Sequence, residues 1–404
     1  MKKNNISYWN ITKIPPKELT ARRNRVLAQM EKDGCSAMLF FQAKSLQYLT
    51  GANFIDTERP IVMILQADGF VSMLVPQLEA EHIPLAASGV DKIYDYAEYP
   101  GPKHPMHHLA DILAAMQLDK AQVFADSDGY AAVFGYQGPK ISALCPEMKL
   151  TLKPRLIEQL KIIKSPYDIT VIKEDARWAH FAHALLQEYT RPGLKELDVV
   201  SRVTAEATRV MLKTLGPDFS PGGDIQASAD YRGQIGANSY YPHALGNNAT
   251  FRAGDLLTTR ARAHMLGCNS ELEQCMHIGE PAKEVAFFFD HMLNMQDIAF
   301  EMIRPGIRCS DIDKAVFRYY EENGLTQYWR HHVGHAMGLG KHERPFFDSN
   351  DDTIIEQGMV FSVEPGIYVK GLGGFRHSDT VHVTENGIEM ITYYPRKLEQ
   401  LLIL

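Results

Sequence analysis

What this chain of 404 residues lacks narrows its function before any motif is read. No apolar run approaches the roughly 20 residues that span a bilayer, so a membrane partner is not expected. The start, MKKNNISYWN, carries two lysines with no apolar stretch behind them, unlike a secretory signal. Cysteines number five, at positions 35, 145, 268, 275 and 309. They form no CxxC pair and are odd in number, which suits reduced thiols in a cytoplasm better than a disulfide framework. The net charge of -7 is spread without a basic run, so nucleic acid is not expected as a partner. HExxH is absent, which removes a thermolysin-like zinc site. Low-complexity segments are absent too.

What is present reads as two cored domains, at 45% hydrophobic and 23% charged residues. Helical spacing over Glu18 to Asp33 ends at Gly34, and Ser36 to Phe41 reads as a buried strand. A short helix follows over Ser45 to Thr50. Ala67-Asp68-Gly69 joins two apolar runs as a hairpin. Helices near His107 to Met116 and Ser127 to Phe134, with a strand near Gln122 to Phe124, complete a small α/β domain over 1–160. A second domain, 161–404, opens on Ser165-Pro166, where serine can cap and proline suits the first helical position. That helix runs to Tyr189, breaks at Pro192-Gly193, and is followed by another over Glu196 to Leu212. The same order recurs from about Ala282, through Pro305-Gly306, to Ser310–Asn323. This internal repeat implies an α+β fold in which paired helices back a curved antiparallel sheet. Strands near Asp255 to Arg262, Met359 to Glu364 and Ser378 to Val383 would line its inner face.

Chemistry-bearing residues gather in this second half. In Asp255 to Arg262, strand alternation puts Thr258, Arg260 and Arg262 on one face. Glu271 and Glu273 alternate with Leu272, so both carboxylates share a face; a solvated strand face is the ordinary reading of such a pair. Two close carboxylates repel unless a cation sits between them. Pro242-His243 precedes Gly254-Asp255, and a histidine there can accept and return a proton near neutral pH. Further along come Gly334-His335, His342-Glu343-Arg344-Pro345, Val363-Glu364-Pro365-Gly366 and Arg376-His377-Ser378-Asp379. On a strand, His377 points away from Ser378.

In order and spacing these motifs resemble the pita-bread (M24) superfamily of creatinases, prolidases and aminopeptidases P. The resemblance implies a creatinase N-terminal-like domain ahead of a pita-bread catalytic domain. The family's peptidases hold two divalent metals with Asp, Asp, His, Glu and Glu, and the same slots here read Arg260, Glu271, His335, Glu364 and Ser378. An arginine cannot ligate a cation and stays charged, so the expectation is a degenerate site without a cofactor. The leading expectation is a metal-independent, creatinase-like hydrolase of a C–N bond in a small, carboxylate-bearing nitrogen compound. By resemblance His243 is the general acid/base, with Glu273 and Glu364 holding a cationic group of the substrate. Arg59, helped by Arg344, takes its carboxylate, while Arg260, Glu271, His335 and His342 complete the binding set. One alternative is an Xaa-Pro dipeptidase or aminopeptidase with an atypical site holding one manganese, iron or zinc ion on Glu271, His335 and Glu364. Another is a non-catalytic binding protein. Family dimers place the N-domain of one subunit near the site of the other, so a homodimer is expected.

Overall fold

The computed structural model describes residue 11 and residues 13–130, 135–219 and 226–404. Two compact units are present, one over Lys13–Lys161 and one containing Ile162–Leu404.

The first unit is built on a six-stranded sheet. Its strands are β1 (Ala37–Phe40), β2 (Val62–Gln66), β3 (Val71–Pro76), β4 (Lys92–Tyr96), β5 (Gln122–Ala125) and β6 (Lys149–Leu152), in the order β4-β3-β2-β1-β5-β6. The hairpin read at Ala67-Asp68-Gly69 is the antiparallel β2–β3 pair. Alternate residues Ala37, Leu39, Val62 and Ile64 bury one face of this sheet against Leu109 and Leu113 of the helix Pro105–Ala115. The helix expected over Ser127 to Phe134 is not seen in its described part, since residues 127–130 form a bend; residues 131–134 lie outside the described residues. Strands β4 and β6 have exposed positions along them, which hides them from a search for apolar runs.

In the second unit, the helix Pro166–Tyr189 begins as its sequence dictates. The Ser165 hydroxyl accepts from the Asp168 amide at 3.1 Å and the Asp168 carboxylate accepts from the Ser165 amide at 3.0 Å, a complete capping box. Its apolar stripe (Ile169, Ile172, Ala176, Ala179, Leu186) is buried. The helix pairs Pro166–Tyr189 with Glu196–Leu215, and Lys283–Met302 with Cys309–Glu322, match the internal repeat. In each pair the residue capping the second helix makes a lone antiparallel bridge, Lys195 to Thr250 and Arg308 to Ile354.

An antiparallel sheet carries the site. Its strands are β7 (Ser228–Asp230), β9 (Arg260–Arg262), β10 (Leu272–Glu273), β12 (Gly334–Ala336), β13 (Glu343–Phe347), β14 (Val360–Val363) and β17 (Ser378–Val383). They run in the order β13-β12-β14-β17-β10-β9-β7, with β18 (Ile388–Met390) on β17. Stacked Phe347 and Phe361, both fully buried with ring centroids 4.3 Å apart, pack its far face. Truncating one such ring costs about 3–5 kcal/mol. The single strand expected over Asp255 to Arg262 is divided at Thr259. Its first part, β8 (Leu256–Thr258), pairs instead with β11 (Cys275–Ile278) in a separate three-stranded sheet with β19 (Leu402–Ile403). The Thr259 hydroxyl, accepting from the Gln274 amide at 2.9 Å and donating to its carbonyl at 3.1 Å, marks the changeover. Thr258 and Arg260 therefore do not share one continuous face: the Thr258 hydroxyl donates to the Gly374 carbonyl instead. β15 (Gly366–Val369) and β16 (Gly373–Arg376) form a hairpin leading into β17.

Candidate metal and substrate site

Neighbouring strands deliver Arg260, Glu271, Glu273, His342 and Glu364 to one cavity of about 510 Å³, with His335 fully buried beside Glu364. Antiparallel register sets Glu273 of β10 across from Ser378 of β17. Glu271, just before β10, is held by Thr380, whose hydroxyl accepts from its amide at 2.8 Å and donates to its carbonyl at 2.9 Å. Ser362 of β14 donates to the Glu271 carboxylate at 3.1 Å. The loop before Glu271 turns through left-handed residues, His264 (φ 57) and Leu266 (φ 48), a conformation that non-glycine residues hold only when pinned. Asp175 of the helix Pro166–Tyr189 pins it, accepting from the amides of Met265 at 3.1 Å and Ser270 at 2.8 Å.

His335 is fully buried on β12, beside Gly334, where a Cβ would run into the Ser362 carbonyl of β14. Its Nδ1 donates to the Ala336 carbonyl at 3.0 Å in the neutral ring, leaving the Nε2 lone pair free. That Nε2 lies 3.2 Å from Glu364 Oε1 and 3.9 Å from Glu271 Oε2, yet has no hydrogen bond of good geometry among the described residues. Burial alone would lower its pKa, but the Glu364 and Glu271 carboxylates raise it. Burial and the charges of Glu364 and Glu273 push Glu271 up. Glu364 moves down because His335 and Arg376 outweigh its burial. The His342 ring stacks on His335, with centroids 3.9 Å apart and planes at 17°.

Ligand atoms of Glu271, His335 and His342 lie within 4.8 Å of one another, as do those of Glu271, Glu273 and Glu364. Converging carboxylates beside a buried ring nitrogen in the ligating tautomer fit a divalent cation. Glu273 is already engaged: Arg376 donates to it, and the Ser378 hydroxyl reaches it at 3.2 Å. The cation held by Glu273 is thus the protein's own guanidinium, not the substrate's group expected from the sequence.

Of the remaining expected residues, His243 lines the cavity from an exposed loop, and Arg260 faces it from β9. His377 points away, as strand alternation required: its Nδ1 accepts from the Cys275 amide at 3.1 Å and its Nε2 donates to the Arg396 carbonyl at 3.0 Å. Arg344 is not among the lining residues; its side chain is 53% exposed and stands 4.0 Å from Asp351. That corrects the expected binding set: alternation along β13, with Glu343 buried and Arg344 exposed, turns it to solvent. Arg59 belongs to the first unit, where it pairs with Glu58 and, at 2.8 Å, with Glu98.

The lining also contains Arg262 and Arg376, which the sequence named without giving them a role, and Arg232, His331 and His332, which no motif included. Alternation offered a signal for Arg262, two residues from Arg260, and for Arg376, two from Ser378. No local signal marks Arg232 or the two histidines.

Comparison with known proteins agrees with this geometry. The model of metallopeptidase family M24 matches residues 171–385. The chain belongs to metallopeptidase family M24. The creatinase/prolidase N-terminal domain matches residues 22–126. The Xaa-Pro dipeptidase of Pyrococcus horikoshii is 26% identical over 376 residues, covering 93% of this chain and 97% of that protein. In structure, the Xaa-Pro dipeptidase from Bacillus anthracis superposes with a TM-score of 0.77 at 23% identity, covering 95% and 99% of the two chains. The X-Pro aminopeptidase from Thermotoga maritima gives 0.77 at 18% identity, covering 94% and 99%. These structures share the fold, a creatinase-type N-terminal domain and a pita-bread M24 domain. Membership carries the class of activity, hydrolysis of a C–N bond. It also corrects the expectation of a site without a cofactor: the family is one of metallopeptidases, and the ligating groups of this chain converge. Glu271 and Glu364 approach His335 Nε2 to 3.9 and 3.2 Å.

Proposed function

We propose that this M24 protein is a metal-dependent peptidase of short peptides, of the Xaa-Pro dipeptidase or aminopeptidase kind, working with one divalent ion. The observation that carries the reading is the convergence of Glu271 and Glu364 on His335 Nε2, with Nδ1 committed to the Ala336 carbonyl. Glu271, His335 and Glu364 would hold the ion, with His342 stacked over His335 at the open side. Manganese, iron or zinc would supply Lewis acidity toward the scissile carbonyl and attacking water. Arg260 and Ser378 occupy the two slots where the family's other ligands stand, which supports one ion rather than two.

The chain's own groups account for the rest. Arg376 fixes Glu273 and Tyr368, donating to the Tyr368 hydroxyl at 3.0 Å, and so holds the acidic floor rigid. His243, which lines the cavity from an exposed turn, would return a proton to the departing amine. Relatives named Xaa-Pro dipeptidase favour this reading over a creatinase-like one.

The test is to strip the protein with chelator and reload it with manganese, iron or zinc. Amino-acid release is then followed from Xaa-Pro and other dipeptides. Turnover that appears with metal and is lost in His335→Ala supports the reading. A fully loaded protein that releases nothing from any dipeptide would sink it.

A further inference from the structure

Beside the acidic floor stands a wall of like charge that a metal site does not explain. Arg260 and Arg262 flank Ala261, which pairs with Leu272 between Glu271 and Glu273. Both arginines therefore project on the face that carries the two glutamates. Arg232 joins them from the turn after β7, and all three line the cavity. Compensation is thin. Arg260 donates to both oxygens of Asp230, at 3.2 and 2.9 Å, while Arg262 approaches the same carboxylate only to 3.9 Å. Arg232 donates to the Gln234 side chain and the Pro242 carbonyl, each at 3.1 Å, and its nearest carboxylate, Glu273 at 3.9 Å, is already taken by Arg376. The Nε atoms of Arg232, Arg260 and Arg262 are all buried without a hydrogen-bond partner among the described residues.

Three guanidiniums against one Asp230 leave two positive charges turned toward a cavity of substrate size. Like charges are held together in a partly desolvated wall when a bound anion completes them, and the guanidinium fork matches a carboxylate. We propose that Arg232, Arg260 and Arg262 form a carboxylate subsite, so that the preferred substrate is an acidic short peptide. This deepens the peptidase reading above and rests on it for the scissile bond. Adjacent strands are about 4.8 Å apart, so a carboxylate over β9 sits about four bonds from a carbonyl over β10. A glutamyl side chain has that reach.

The decisive measurement is calorimetric titration of the metal-loaded protein with succinate, with its uncharged analogue succinamide as the control. Succinate should bind at least tenfold more tightly than succinamide. Arg262→Gln and, independently, Arg232→Gln should abolish that preference, whereas Arg262→Lys keeps part of it. Metal content should stay at the wild-type level in all three. If Arg262→Gln and Arg232→Gln both fold and retain the succinate preference, the anion is binding the metal and the proposal is overturned. Equal binding of succinate and succinamide by the wild type overturns it as well. A succinate preference in a protein that cleaves no dipeptide would leave the subsite standing and remove the peptidase reading instead. With turnover, acidic dipeptides should show a KM at least tenfold below neutral ones, and Arg262→Gln should raise that KM with little change in kcat.

Discussion

Arg260 and Asp230 sit directly across from each other on β9 and β7, with the guanidinium donating to both carboxylate oxygens at 3.2 and 2.9 Å. By motif spacing this position resembles one at which the family's peptidases carry a metal-binding aspartate, and the arginine found here has its own dedicated partner. It is built into the sheet and does not simply swing out of the way. The cavity beside it is lined by Arg232 and Arg262 as well as by Arg260.

Restoring both missing ligands should restore a second ion. Wild-type protein saturated with manganese is expected to hold about one equivalent, and the double variant Arg260→Asp with Ser378→Glu about two, counted by mass spectrometry of the protein-bound metal. Equal stoichiometry in the two proteins would show that the two slots do not govern metal number.

Arg376 and Glu273 are both almost fully buried. Arg376→Met leaves the Glu273 carboxylate buried without its partner, which costs about 3–5 kcal/mol in urea unfolding. Adding Glu273→Gln to Arg376→Met should recover part of that loss. A lone Arg376→Met change below ~1 kcal/mol would mean that Glu273 is satisfied by other groups.

His183 supplies a pH test away from the site. It is fully buried, with Nε2 2.7 Å from the Thr259 hydroxyl, and burial pushes its pKa down from 6.5 to about 3. Between those values the unfolded chain holds a proton that the folded chain does not. The contribution is therefore complete above about pH 6.5 and lost as the pH falls toward 3, by up to ~1.4 kcal/mol per unit. Other groups titrate in the same window, so the readout is the difference between wild type and His183→Gln. The variant's stability should fall less steeply between pH 6.5 and 4.5. Parallel profiles would exclude a buried neutral His183.

Ser165→Ala should cost about 1 kcal/mol by opening the capping box of the helix Pro166–Tyr189. Ser165→Asp should keep most of the stability, since a carboxylate can accept from the same amide. The comparison is made by thermal unfolding at fixed metal content, because a bound ion raises stability by mass action.

Much of this protein was legible in its sequence because the signals were local. Pro166 behind Ser165, the repeated Pro-Gly breaks and the alternation of Glu271 with Glu273 each act within a few residues. They placed helices, repeat and shared faces correctly. The order of the motifs also carried the family, since strand order and motif order are linked by the chain.

Tertiary structure decided the rest. Arg260 finds its partner in Asp230, 30 residues away, and the carboxylates near His335 come from separate stretches of the chain. Arg376, 103 residues from Glu273, turned an apparent substrate anchor into an internal ion pair. Arg344 belonged by spacing, yet strand pairing turned it to solvent. Thr259 broke one strand into two sheets through hydrogen bonds to Gln274. Fold, family and the inventory of charged groups follow from local pattern and motif order. Which charges cancel, which ligate and which are left for a substrate is set by distances between strands far apart in the chain.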